Sequence, residues 1–128
     1  MPWIQNVSMQ DVRNAYHFDP GTRSVLIQIV DPDMEHPTAK WDFSEVYRFK
    51  FLDIEEDSPL AITNEQAERL VRILKDALQK NQNVVVHCVA GICRSGAVVE
   101  VGIQLGFQDT ETYRQPNLRV KHLCMEKL

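Results

Sequence analysis

The feature that most limits how this chain can fold is one amphipathic helix leading directly into an all-valine run. Between Thr63 and Lys80, the apolar residues Ala67, Leu70, Val71, Leu74, Ala77 and Leu78 recur at three-four spacing, which puts them on one face of a helix. Thr63 and Gln66 form a capping-box pattern, and Ile62 and Ala67 are placed for a hydrophobic staple. Asn81 and Asn83 end the helix, and Val84-Val85-Val86 follows. A short run with no polar face suits a strand buried on both sides, as in the middle of a parallel sheet. Upstream, Val46 to Leu52 alternates and is rich in aromatic residues, so it reads as a strand. Strand, helix and strand in that order make a βαβ unit, so the expectation is an α/β fold with a central, mostly parallel sheet flanked by helices.

At 128 residues the chain has room for one domain. A short helix is expected from Ser8 to Ala15 with Ser8 as its cap. Asp19-Pro20-Gly21 is a turn signal, leading into a β-rich run from Ser24 to Val30 that stops at Asp31-Pro32-Asp33. Residues 31–45 read as a loop. A helix should follow Arg94 and run to about Leu105; its Gly96 and Gly102 lower helix propensity unless they allow close packing on the sheet. Past Pro116, the residues Val120, Leu123, Cys124 and Leu128 suggest a closing amphipathic helix.

Fourteen Lys plus Arg against eighteen Asp plus Glu give a formal charge of -4, which argues against nucleic acid or an anionic membrane as the main partner. No segment approaches the roughly 18 apolar residues of a membrane span, and the first six residues do not read as a signal peptide. The three cysteines, Cys88, Cys93 and Cys124, are odd in number and wrongly spaced for a disulfide framework or a zinc finger. They are expected as free thiols in a reducing cytoplasm. His17, His36 and His122 stand singly, so no metal and no cofactor is expected.

The chemistry is concentrated in Val84-Val-Val-His-Cys-Val-Ala-Gly-Ile-Cys-Arg-Ser-Gly96. A buried strand ends at His87, a turn follows, and a helix begins. Turn N–H groups converging beside the positive end of a helix dipole make an anion site. Cys88 stands at its base, where such surroundings favour the thiolate. Arg94 stands at the other lip, where its planar fork can hold two oxygens of a phosphate. A thiolate beneath a phosphate cradle is equipped to attack phosphorus.

Cys88, five residues and then Arg94-Ser95, with His87 before them and Gly91 within, resembles the signature loop of the cysteine-dependent protein tyrosine phosphatases, and chain length and element order resemble their small dual-specificity branch. The resemblance covers about residues 46–128; the first 45 residues resemble nothing that can be placed. It implies a phosphatase-like α/β domain acting on a phosphoprotein or phosphopeptide. Cys88 would attack the phosphoester and become phosphocysteine. Arg94 and the loop N–H groups of Val89, Ala90, Gly91, Ile92 and Cys93 would bind the phosphoryl oxygens. Ser95 would hydrogen-bond the Cys88 sulfur and help it leave, and His87 would hold the loop in shape.

Such a reaction needs a proton donor for the leaving oxygen, usually an aspartic acid on an upstream loop. Asp53-Ile54-Glu55-Glu56-Asp57 lies between the second strand and the long helix. Asp57, 31 residues before Cys88 and followed by Ser58-Pro59, has a spacing that resembles the dual-specificity enzymes and is preferred. Asp53, at the end of the strand, is the other candidate, while Glu55 and Glu56 read as solvated charges. Cys93 invites two readings: a thiol that traps oxidised Cys88 as a reversible disulfide, or a residue that fills space in the turn. The low-molecular-weight tyrosine phosphatases also pair two such cysteines, but they carry loop and acid in the reverse order. Cys124 reads as core.

The variable loop positions Val89, Ala90, Ile92 and Cys93 carry no positive charge, which favours a monophosphate ester, phosphotyrosine first, over a polyphosphate. Trp41, Phe43 and Tyr47 are candidates for a pocket rim, with core packing the commoner fate of such residues. Two further classes remain open: a phosphopeptide-binding module without turnover, and a thiol-dependent arsenate reductase relaying through Cys93 or Cys124.

Overall fold

The computed structural model describes residues 1–15 and 18–128; His17 falls outside them. In chain order the elements are β1 (Trp3–Ser8), α1 (Met9–Asn14), β2 (Ser24–Val30), β3 (Glu45–Lys50), α2 (Asn64–Gln79), β4 (Asn83–Cys88), α3 (Arg94–Leu105), β5 (Gln108–Asp109) and α4 (Leu118–Met125). The strands form one sheet in the order β3-β2-β4-β1-β5, parallel at every pairing. The expected βαβ unit is present, but its strands are not neighbours: α2 carries the chain over β2, which lies between β3 and β4.

The valine run is unpatterned because β4 is covered on both faces. Val84, Val86 and Cys88 pack with Val25, Ile27 and Ile29 of β2 in the larger core, closed by the apolar stripe of α2 and by residues of α3 and α4. Val85 faces the other way, with Leu26, Val7 and Val12, beneath Trp3, Phe18, Ala39 and Phe43. The strand period of two therefore turns Cys88 toward the helices and its neighbour His87 toward the opposite face. Burying a residue such as Leu70 or Leu74, both 0% exposed, stabilises the fold by about 1.5–3 kcal/mol each.

The caps expected at Ser8 and Thr63 are formed. Ser8 Oγ accepts from the Asp11 N–H, and Thr63 Oγ1 accepts from the Gln66 N–H. Asn81 stops α2 with φ +57, but Asn83 already belongs to β4 and accepts from the Trp3 N–H. Gly102 lets α3 close on β1, since a Cβ there would stand 2.5 Å from Ile4 Cδ1.

Two expectations are corrected, and the part played by the first 45 residues becomes clear. The second strand runs Glu45–Lys50, not Val46 to Leu52, because at Leu52 the chain turns to donate to the Leu60 carbonyl. Leu128 lies beyond α4 and is 46% exposed. The first 45 residues are integral to the sheet, supplying β1 and β2, and all seven residues of β2 are buried.

Candidate active site

The loop Val89–Cys93 leaves β4 at Cys88 and enters α3 at Arg94. Side chains cap α1, α2 and α4, but none caps α3, so its first N–H groups remain available to an anion. The loop is held from three directions. The Met9 N–H donates to the Val89 carbonyl, extending the β1–β4 ladder into the loop. Buried Asn6 of β1 donates both amide protons, to Gly91 O at 2.8 Å and to Tyr113 O at 2.9 Å. The Gln115 and Asn117 N–H groups donate to Ile92 O and Cys93 O, from a segment that Arg114 ties to Glu100 of α3.

Gly91 cannot be another residue without rearrangement. Its φ is +78, and a Cβ would lie 2.4 Å from Val7 C and 2.5 Å from Ser8 N, both backbone atoms.

Cys88 is 2% exposed. Its Sγ receives the Gly91 N–H at 3.3 Å and lies 3.2 Å from Ser95 Oγ. Arg94, 4% exposed, donates through Nη1 to Asp31 Oδ1 and to the Phe51 carbonyl, each at 2.7 Å. Its buried Nε has no hydrogen-bond partner among the described residues. His87 is fully buried and its Nδ1–H donates to the Cys88 carbonyl at 3.0 Å. Burial pushes His87 down to about 4, with the nearby charges of His36, Arg94 and Arg13 acting the same way. The ring is therefore neutral at ordinary pH and acts on Cys88 through the backbone.

The two candidate acids have different surroundings. The Asp57 side chain is 97% exposed and meets Arg119 of α4 at 3.4 Å. Asp53 accepts from Asn117 Nδ2 at 2.8 Å, and Asp53 and Cys93 stand beside each other. With Ile54, Glu55, Glu56, Gln115, Pro116 and Asn117, these two residues line a cleft of about 450 Å³. Glu55, expected to be solvated, accepts from the Leu118 N–H at 2.7 Å. Burial raises the Cys93 thiol, and the nearby charge of Asp53 raises it further. Cys124 is 1% exposed, and burial pushes its thiol up to about 12.

Trp41 and Phe43 lie on the side of the sheet away from Cys88: Phe43 joins the smaller core, and Trp41 is tilted against Phe18. Tyr47 packs on the larger core and donates to Glu45. Among the described residues, no group of three or more His, Cys, Asp or Glu side chains could hold a metal, and no helix is long and apolar enough to cross a membrane. Sequence reasoning missed Asn6 and Asp31. Asn6 lies in a strand with no motif around it, and in the sequence Asp31 reads only as a strand stop.

No curated protein sequence matches the chain. Among solved structures, the human tyrosine phosphatase-like serine/threonine/tyrosine-interacting protein is similar with a TM-score of 0.66, at 18% identity over 98% of this chain and 91% of that one. OH1 from the Orf virus, a tyrosine phosphatase, gives 0.53 at 21% identity over 80% of this chain and 54% of that one. A mouse putative dual specificity phosphatase complexed with zinc tungstate gives 0.51 at 14% identity, over 80% and 69%. These likenesses establish the fold. A family model described as "Polymorphic toxin system, DSP-PTPase phosphatase" matches residues 24–104, so the family likeness begins at β2, upstream of where the sequence resemblance began. Because that match runs through the whole Cys88–Arg94 loop and most of the chain, the protein belongs to the DSP-PTPase phosphatases of polymorphic toxin systems, small dual-specificity-like members of the protein tyrosine phosphatase superfamily.

Proposed function

We propose that the protein hydrolyses phosphate monoesters on proteins, phosphotyrosine fastest and phosphoserine and phosphothreonine more slowly, through a phosphocysteine on Cys88. The observation that carries this reading is the buried, unpartnered Nε of Arg94, beside an uncapped helix N-terminus and a cysteine sulfur that already receives a backbone N–H. A phosphoryl group would satisfy these donors together.

In the first step Cys88 Sγ attacks phosphorus and the ester P–O bond breaks. Arg94 and the N–H groups from Val89 to Cys93 hold the phosphoryl oxygens, and an aspartic acid gives its proton to the departing oxygen. In the second step water attacks phosphorus, the same carboxylate takes the proton, and the P–S bond breaks while the Ser95 hydroxyl hydrogen-bonds the leaving thiolate. We assign the proton to Asp53 rather than Asp57. Asp53 lines the cleft beside Cys93, whereas the Asp57 side chain is 97% exposed and held by Arg119. Phenolate is a better leaving group than alkoxide, which is why phosphotyrosine leads. The arsenate-reductase alternative is disfavoured by the burial and raised thiol of Cys124. A reducing, cytoplasmic setting suits the three free cysteines.

The test is hydrolysis of p-nitrophenyl phosphate and a phosphotyrosine peptide from pH 5 to 8, in EDTA and fresh reductant. Activity should be vanadate-sensitive and absent in Cys88→Ser. Asp53→Asn should lose the basic limb of the profile and about 10²-fold or more in kcat, with Asp57→Asn within about twofold of wild type. Folded wild type that binds phosphate without turnover would make this a phosphate-recognition module. Loss of the basic limb in Asp57→Asn would return the acid to Asp57.

A further inference from the structure

The cleft beside the Cys88 loop carries negative charge only. Asp53, Glu55 and Glu56 line it, and among the described residues no Lys, Arg or His does. All three are exposed. Asp57, next in the chain, is answered by Arg119, whereas Asp53 is held by the Asn117 side chain and Glu55 by the Leu118 N–H. Those two donors are neutral, so they fix the carboxylates without cancelling their charge. Nor do the carboxylates converge: among the described residues, no group of three or more His, Cys, Asp or Glu side chains could hold a metal ion. Charge spread along a cleft suits a long cationic side chain better than a compact ion.

The neighbouring loop says what would bring such a side chain here. Cys93 closes the loop and also lines the cleft. The next residue, Arg94, is 4% exposed and has an Nε without a partner among the described residues. A phosphoryl group received there carries the rest of its ester to the cleft.

We propose that this cleft selects phosphoresidues flanked by Lys or Arg, with Glu55 and Glu56 setting the preference. The inference rests on the reading of the Cys88 loop as a phosphoryl site and names the substrate class for it. Asp53, as the proton donor, meets the substrate uncharged, so the standing charge is that of the two glutamates. They act in both directions, attracting a cation beside the phosphoresidue and repelling a carboxylate there. Both are open to solvent, so each contributes modestly and the effect weakens with salt.

The experiment compares two phosphotyrosine peptides of equal length on the full chain, one with arginines on both sides of the phosphotyrosine and one with glutamates. Hydrolysis gives kcat/KM for each, and fluorescence anisotropy gives Kd on Cys88→Ser. The readout is the ratio between the peptides, in which any change in basal activity cancels. Wild type should favour the arginine peptide about tenfold at low salt, and less at about 0.5 M salt. Glu55→Gln with Glu56→Gln should bring the ratio down to about twofold. Circular dichroism verifies folding; if that pair is unstable, Glu56→Lys alone should lower the ratio. Glu68→Gln with Asp76→Asn removes as much charge from residues that do not line the cleft, and should leave the ratio as in wild type.

A wild-type ratio near one, or a preference for the glutamate peptide, would overturn the inference and leave these carboxylates as solvated charges. An equal fall in the Glu68→Gln/Asp76→Asn pair would also overturn it, assigning the preference to the net charge of the chain. If wild type binds the peptides without turnover, the phosphatase reading fails and the Kd ratio alone decides the inference. If the peptides are neither bound nor hydrolysed, both fall. If wild type is active and only the ratio fails, the inference alone is wrong.

Discussion

Protonating His87 should destabilise this protein rather than activate it. The ring is fully buried on β4, between β1 and β2 in the sheet order, with Nδ1–H on the Cys88 carbonyl and Nε2 without a partner among the described residues. Burial lowers its pKa from 6.5 to about 4. Above pH 6.5 the ring is neutral in the folded and unfolded chain, and its contribution to stability is fully present. As pH falls from 6.5 toward 4, the unfolded chain takes up a proton that the folded one refuses, so stability declines; below about 4 the loss is complete. At about 1.4 kcal/mol per pH unit the difference is worth about 3 kcal/mol, a large share of the roughly 5–15 kcal/mol that holds a domain folded. The assay is urea denaturation at pH 7, 6, 5 and 4 for wild type and His87→Gln. Carboxylates titrate in both and cancel in the comparison. The variant should start less stable, having lost a fitted ring, but its deficit should shrink by about 3 kcal/mol on going to pH 4. Parallel stability curves would refute the reasoning, as would an imidazole signal for His87 titrating near 6.5 in the folded protein.

Gly91→Ala should lower stability by more than about 2 kcal/mol, combining the left-handed backbone cost with a Cβ pressed against the Val7–Ser8 peptide. Its thermal midpoint should fall by about 6 °C or more, and an unchanged melt would contradict the packing described. For Cys93, the raised thiol is the wrong direction for trapping oxidised Cys88, because the attacking species is a thiolate. Peroxide-treated wild type and Cys93→Ser should thus regain activity equally with dithiothreitol. A clear deficit in the variant would restore the protective role.

Legibility in the sequence followed the range of the interaction. The α2 stripe, its Thr63 cap and the Val84–Val86 run are local patterns, each set by neighbours within a few residues, so they were readable in advance. The Cys88–Arg94 loop was readable for the same reason: strand, cradle and helix are consecutive. β1 was not, because Gln5 and Asn6 interrupt its apolar pattern, and what makes it a strand is pairing with β4 more than seventy residues away. β5 has only two residues and carries no periodicity at all. Leu128 continues the apolar spacing of a helix that ends at Met125, and spacing alone carries no stop signal there.

The site divides along the same line, and the division has a physical consequence. The groups that would touch phosphate lie in one short segment, yet that segment cannot hold its own shape. Its glycine is left-handed, its helix is uncapped and its arginine is buried. Support comes from elsewhere: Asn6 holds the Gly91 carbonyl, the Asn117 N–H holds the Cys93 carbonyl, and Asp31 and Phe51 hold the Arg94 Nη1, while the first N–H groups of α3 stay open. The Asn117 side chain also donates to Asp53 and caps α4 through its Oδ1, so one buried residue links the proposed acid, the end of the loop and the last helix. Asn6 and Asn117 lie outside the matched residues 24–104. A fragment confined to that match would keep Cys88, Arg94 and Asp53 but lose β1, the supports that hold the loop from all three directions and the tether on the acid, and the loop itself has no local means of replacing them.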